Sequence, residues 1–336
     1  MLSSRYLRRW YLTGIVLMIL MVAVGGITRL TDSGLSIVDW QPIYGILPPL
    51  SDSNWENEFN HYKEYPEYIY KNINLTLREF KYIYIWEYVH RMLGRIIALF
   101  FIFPLVYFSI KKSIDKTELK RILIIIALIS FQGILGWYMV KSGLSGNPNI
   151  SHFRLMLHYM MAMILISFTY IQYLRHSYVE ENRISISLST FWLIFSLIII
   201  QTIFGTFMAG LKAGHYYNTF PLMDGSIIPL NILYNHSMGI IENLFYNQAT
   251  VQYIHRLLGF ILLIFSSKII FDQFRKNNLS SLETKLATLL LVQFILGVIT
   301  LVTSVNIYFS VAHQVNASLI FLTCVKIIYI IKISNK

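Results

Sequence analysis

Residues 86–95 read Trp86-Glu87-Tyr88-Val89-His90-Arg91-Met92-Leu93-Gly94-Arg95 and open an apolar run, Ile96-Ile97-Ala98-Leu99-Phe100-Phe101-Ile102-Phe103. Helical spacing places Glu87 and His90 about one turn apart on one face, at the mouth of a membrane helix. The pattern returns as Gln252-Tyr253-Ile254-His255-Arg256-Leu257-Leu258-Gly259, again opening an apolar run. The second copy has Gln252 where the first has Glu87. This repeated element, with its one change of charge, organises the rest of the reading.

Of the 336 residues 55% are hydrophobic and 13% charged, and the mean hydropathy is +0.55. These values exclude an ordinary soluble domain and predict an all-α polytopic membrane protein. The net charge of +11 fits Lys and Arg gathered in cytoplasmic loops better than nucleic-acid binding, so no nucleic-acid partner is expected. The single cysteine, Cys324, excludes an intramolecular disulfide and a Cys-based metal cluster. Arg5, Arg8 and Arg9 precede a long apolar segment, Tyr11 to Ile27, with no Ala-x-Ala-like site after it. It reads as a retained first span, and with no Arg/Ser-rich leader the expected location is a bacterial inner membrane.

Eight spans can be drawn near the ~20 residues a bilayer requires: about 11–29, 88–110, 120–140, 154–174, 188–210, 252–271, 285–304 and 309–331. Basic residues collect on one side: Arg5, Arg8, Arg9, Lys111, Lys112, Lys116, Lys120, Arg121, Arg175, Arg183, Lys268, Arg275, Lys276, Lys285, Lys332 and Lys336. That side is read as cytoplasmic, with both termini on it. Two long outer loops follow, Thr31–Lys81 and Leu211–Thr250, and the aromatic content of the first predicts packing at the membrane surface. The spans form two repeated four-helix bundles, 1–183 and 184–336. Phe131-Gln132-Gly133-Ile134-Leu135-Gly136 resembles Val292-Gln293-Phe294-Ile295-Leu296-Gly297, and Phe153–Met161 resembles Phe309–Ala317. With four spans per unit, both halves share one orientation.

His90, His158, His255 and His313 each fall near the start of an even-numbered span. Each half thus brings two imidazoles to one depth. That arrangement suits a flat macrocycle held between two helices with an imidazole on each face, and predicts two hemes. Arg91 and Arg256 either snorkel to the interface or pair with heme propionates; Arg29, Arg95 and Arg154 are weaker candidates for propionates. His61, His215 and His236 are read as outer-loop residues and His176 as cytoplasmic. His152 lies on a different helical face from His158. Gln252 keeps the size and hydrogen bonding of Glu87 without its charge, so the N-terminal site reads as the reaction site and the C-terminal one as its spectator. On the same ground Glu87→Gln is expected to preserve folding and heme binding while abolishing turnover.

At these residues the sequence resembles the heme A synthase family. The likeness runs through Gly25–Ser36, Trp40-Gln41-Pro42, Pro48-Pro49-Leu50, Tyr65-Pro66-Glu67-Tyr68, Glu79-Phe80-Lys81, Glu87–Arg95, Ser151–His158 and Gln252–Gly259. It spans nearly the whole chain and falls in the branch without a loop cysteine pair. The resemblance implies a heme b cofactor held by His255 and His313, and a substrate, heme O, held by His90 and His158. It implies a catalytic role for Glu87 and oxidation of the C8 methyl of heme O to a formyl group. It also implies as partners heme O synthase, cytochrome oxidase assembly components and an electron acceptor or donor in the membrane. The alternatives are a di-heme b electron-transfer protein, usually with hemes stacked across the membrane, and a heme-handling assembly factor.

Overall fold

A computed structural model describes residues 3–39, 45–146, 148–178, 184–279 and 281–334. Trp40-Gln41-Pro42, Arg183, Lys336 and the expected boundary at 183 lie outside the described residues. The protein is all-α. In chain order its helices are α1 Ser4–Leu30, α2 Asp52–Tyr62, α3 Pro66–Tyr70, α4 Leu77–Ile110, α5 Lys116–Leu144, α6 His152–Arg175, α7 Leu188–Gly210, α8 Leu230–Leu233, α9 Ile240–Tyr246, α10 Gln248–Arg275, α11 Leu282–Val302 and α12 Ile307–Ser334. Eight of them, α1, α4, α5, α6, α7, α10, α11 and α12, are long and apolar enough to cross a bilayer. The chain is a multi-pass membrane protein. Only helices close every backbone hydrogen bond within the segment, as a bilayer interior demands.

The chain divides into two compact units, Met1–His176 and Ser177–Lys336. In the first, α1 packs on α4 and α6, and α5 packs on α4 and α6, closing a ring of four helices. Glu118, buried near the start of α5, accepts hydrogen bonds from Tyr11 of α1 and from Arg121, and lies 3.2 Å from His176 Nε2. A buried carboxylate is tolerated only with such partners. In the second unit α10 packs on α7 and α11, and α11 on α12. Phe195 of α7 meets Phe321 of α12 with ring centroids 6.2 Å apart. Glu283, buried at the start of α11, accepts the Ser185 backbone N–H.

The second span was expected from residue 88, yet α4 begins eleven residues earlier, at Leu77. A capping box explains the start: Thr76 accepts from the Glu79 N–H, while Glu79 accepts from the Thr76 N–H at 2.9 Å. The added turns carry an aromatic cap. Phe80 is fully buried, with ring centroids 5.0 Å from Phe59, 5.2 Å from Tyr62 and 5.8 Å from Tyr84. Val38 and Ile83 complete that cluster, and Trp55, Tyr65 and Tyr68 pack against it. Beneath it Glu67 accepts from Tyr62 Oη at 3.1 Å, and burial pushes its carboxyl up to about 7. The aromatic stretch of the first long loop is therefore a packed lid of α2 and α3 on the end of α4. Truncation of Phe80 to Ala should cost the lid about 3–5 kcal/mol. Limited proteolysis of the detergent-solubilised variant should then cut within residues 45–76 much faster than wild type, with the long helices still protected.

Candidate functional site

The four histidines sit at one end of their own unit. His158, His255 and His313 fall six, seven and six residues into α6, α10 and α12, roughly 10 Å along each axis. His90 lies deeper in the longer α4. Each ring is half-buried and seated on a glycine of a neighbouring helix. A Cβ built on Gly25 of α1 would lie 3.0 Å from His90 Nε2. On Gly136 of α5 it would lie 3.1 Å from His158 Cε1, on Gly205 of α7 3.1 Å from His255 Cε1, and on Gly297 of α11 3.0 Å from His313 Cε1. Only a residue without a side chain lets an imidazole approach so close to the helix. His90 and His158 lie within electrostatic range of one another, as do His255 and His313.

Glutamines one turn from three of these glycines reach the same rings. Gln293 Nε2 lies 3.2 Å from His313 Nε2, while His313 Nδ1 lies 3.1 Å from the Gln293 carbonyl oxygen. A carbonyl only accepts, so Nδ1 carries the proton and the Nε2 lone pair is available. Asn316 orients that glutamine, donating to Gln293 Oε1 at 2.8 Å. Gln201 Nε2 lies 3.4 Å from His255 Nε2, and His255 Nδ1 is buried without a hydrogen-bond partner. Gln132 Nε2 donates to the His158 carbonyl at 3.0 Å and lies 3.3 and 3.4 Å from the two ring nitrogens. All three rings are half-buried and have a side-chain amide within 3.2–3.4 Å of a ring nitrogen. That donor set fits an iron porphyrin held by imidazole nitrogens.

Glu87 is 3% exposed and sits in a full coordination of donors. Its Oε2 accepts from Ser36 Oγ and from the Ile37 N–H, both at 2.8 Å. Its Oε1 accepts from Arg91 Nε at 3.0 Å and Nη2 at 2.7 Å. Arg91 also donates to the carbonyls of Ile37 at 2.7 Å and Asp39 at 3.1 Å. The segment after α1 is thus strapped to α4 by one ion pair. Leu35 of the strap sits over Gly143 of α5, where a Cβ would come within 2.7 Å of Leu35 Cδ1.

The second unit builds the same corner with opposite polarity. Gln252 Nε2 donates to the carbonyls of Tyr216 at 2.8 Å and Ala213 at 3.4 Å. Arg256 donates to the carbonyls of Tyr217 at 2.6 Å, Thr219 at 2.9 Å and Leu222 at 3.3 Å. Gln252 Oε1 and Arg256 Nε are buried without a hydrogen-bond partner. The loop presents carbonyls to Gln252 where the first unit presents an N–H and a hydroxyl to Glu87. In the N-terminal corner a glutamine at position 87 would turn an amide NH₂ toward donors, a contact that Gln252 does not make. Arg91 and Arg256 both donate to loop carbonyls and so anchor a loop, and the Nε of Arg256 is left over from that role.

Among the weaker candidates, Arg154 donates to the Tyr138 carbonyl at 2.8 Å and lies 3.9 Å from the Tyr138 ring centroid. His152 is buried against Phe153, His61 lies 3.7 Å from Asp39, and His176 joins Glu118 at the far end of the bundle. The residues that sequence reading passed over are Ser36, Ile37, Gln132, Gln201, Gln293 and the four glycines. A Gln-x-x-x-Gly spacing at Gln132–Gly136, Gln201–Gly205 and Gln293–Gly297 is the signal that marks most of them.

The family model described as COX15-CtaA, cytochrome oxidase assembly protein, matches residues 8–325. A protein named heme A synthase from Wolbachia pipientis subsp. Culex pipiens (strain wPip) is 38% identical over 315 residues, covering 93% of each chain. Another so named, from Rickettsia bellii (strain RML369-C), is 41% identical over 321 residues, 93% of this chain and 94% of its own. A third, from Flavobacterium johnsoniae, is 41% identical over 322 residues, 92% of each. With a match that spans nearly its whole length, the chain belongs to the COX15-CtaA family, the family of the heme A synthases.

Proposed function

We propose that this protein is a heme A synthase, an enzyme that oxidises the C8 methyl group of heme O to a formyl group. The observation that carries the reading is the pairing of two imidazole sites that differ in charge. The N-terminal site has an Arg-paired carboxylate, Glu87, beside it, and the C-terminal site has an amide, Gln252. Heme O is assigned to His90 and His158 of the first unit. A resident heme b is assigned to His255 and His313 of the second, where it would supply one-electron redox chemistry. Methyl to formyl is a four-electron oxidation that adds one oxygen atom, so the enzyme needs either water with an electron acceptor in the membrane or dioxygen with an electron donor there. Heme O synthase and cytochrome oxidase assembly components are the expected neighbours. The bacterial inner membrane, with both termini cytoplasmic, is the expected setting.

The protein's own residues do three things in this account. The glycine-seated imidazoles orient the porphyrin. The lid over α4 and the strap of residues 33–39 shield that end of the unit. Glu87 holds the strap and sets a negative charge where positive charge develops during attack on the methyl carbon. Its acceptor positions are filled by Ser36, Ile37 and Arg91. Service as a general base would require giving one of these up, so a fixed-charge and positioning role fits better than proton abstraction.

Three outcomes test this. Cells making the Glu87→Gln protein should yield trace heme A on chromatography of extracted hemes, with heme O accumulating. The purified variant should keep the C-terminal bis-imidazole spectrum and show faster proteolysis around residues 33–39. Near-normal heme A would sink the role of Glu87. His255→Ala, His313→Ala or Gly297→Ala should each diminish the resident low-spin heme signal, the alanine by crowding the ring of His313. His90→Ala and His158→Ala should leave that signal in place and impair heme O binding; the opposite pattern would reverse the two halves. Cysteines placed at Asn57 and Asn235 should label from the periplasmic side, Cys324 being buried. Labelling only from the cytoplasm would invert the topology.

A further inference from the structure

Glu67 is a buried carboxyl group that the site does not use. It is the second residue of α3, inside the lid, and 4% exposed. Its side chain accepts one hydrogen bond among the described residues, from Tyr62 Oη at 3.1 Å, and Tyr62 Oη accepts in turn from Asn72 Nδ2 at 2.8 Å. The other buried carboxylates of this unit each hold an arginine: Arg91 donates to Glu87 and Arg121 to Glu118. Lys71, one turn after Glu67, is spaced to do the same. Its Nζ instead donates to the Pro148 carbonyl at 2.7 Å and to Asn149 Oδ1 at 2.8 Å, in the connection between α5 and α6.

The charged groups facing Glu67 are Lys71, Asp32 just past α1 and Glu87 on α4, while α2 faces it with Tyr62. On α5, against which α3 packs, Lys141 stands 5.1 Å over the ring of Trp137. Asp32 and Glu87 both oppose a negative charge at Glu67. A buried carboxyl with one neutral donor and two carboxylates facing it is stable only while protonated. Ionised, it needs water. The fully buried rings of Tyr62 and Phe80, 5.2 Å apart, keep water out while α2 stays packed on α4.

We propose that Glu67 is a proton-operated latch of the lid: neutral, it lets α2 and α3 stay packed on α4, and ionised, it drives them to open. Glu67 acts through the lid, as a positioning group for the end of the unit that carries Glu87. The latch goes beyond the heme assignment and holds whichever heme the unit binds. Its direction follows from linkage. Opening returns Glu67 to water, where a glutamate titrates near 4.5, whereas burial in the closed lid holds it at about 7. The closed state therefore binds the proton more tightly. Closure is fully supported below the lower value, weakens by up to about tenfold per pH unit as pH rises through the window, and levels off above the upper one.

The test is limited proteolysis of full-length protein in detergent between about pH 5 and pH 8, with each rate divided by that of an unfolded substrate at the same pH. In wild type, cutting within residues 45–76 should speed up on the order of tenfold or more from about pH 5 to pH 7 and then level off. Glu67→Gln keeps an acceptor for Tyr62 without the charge, so its rate should stay slow and flat. Asp32→Asn removes one opposing charge from outside the lid, at a left-handed position (φ 51°) that asparagine accepts. Its rise should level off at a lower pH, and that shift decides the matter if Glu67→Gln fails to fold. A wild-type rate that does not change with pH, or a rise that persists in Glu67→Gln, would overturn the proposal and leave the heme assignment standing.

Discussion

An imidazole resting on a bare glycine of the next helix is the contact on which the rest of this protein depends. Four such seats, Gly25–His90, Gly136–His158, Gly205–His255 and Gly297–His313, fix where two helices of each unit come together and how far a ring can stand off the backbone. A β-carbon at any of them would sit at 3.0–3.1 Å from the ring, closer than packing allows without a shift of the helix or the ring. The seats explain why the glycines fall inside long apolar helices, where they cost roughly 1 kcal/mol each relative to alanine. Polar rings are tolerated in those spans where a partner meets them: Gln132, Gln201 and Gln293 bring a side-chain amide to a ring nitrogen of His158, His255 and His313.

The two units apply this contact to different ends. In the first, Arg91 and Glu87 strap residues 36–39 to α4 through an ion pair and backbone bonds. In the second, Gln252 and Arg256 hold residues 213–222 through carbonyls alone. An ion pair in a site shielded from water carries more electrostatic weight than one at a surface. An ion-paired carboxylate stands at one site and a neutral amide at the other. That is the division expected of a reaction site and a cofactor site.

Much of this is written in the sequence in forms that elementary rules can read. Apolar length gives all eight spans, and residues 188–210 coincide with α7. The recurrence of His-Arg-x-Leu-Gly gives the matching of the halves, and helical spacing puts Glu87 beside His90. The rest depends on contacts between distant segments. That Glu87 faces Ser36 and Ile37 while Gln252 faces Ala213 and Tyr216 is a matter of which way a loop peptide points, and no periodicity encodes it. The early start of α4 is encoded in Thr76 and Glu79, a capping pair that lies ahead of the apolar run. Gln132 and Gln293 stand out in the sequence as members of the repeat, and only packing places their amides, with that of Gln201, beside the imidazoles.

One heme between the two imidazoles of each unit requires two hemes per chain, and heme stoichiometry measures that. Purified full-length protein, titrated with hemin and measured as its pyridine derivative, should saturate at two hemes per chain, both of bis-imidazole type in their reduced spectra. Removing His158 and His313 together should abolish both. Saturation at one heme per chain, or two hemes that survive loss of those histidines, would contradict the account.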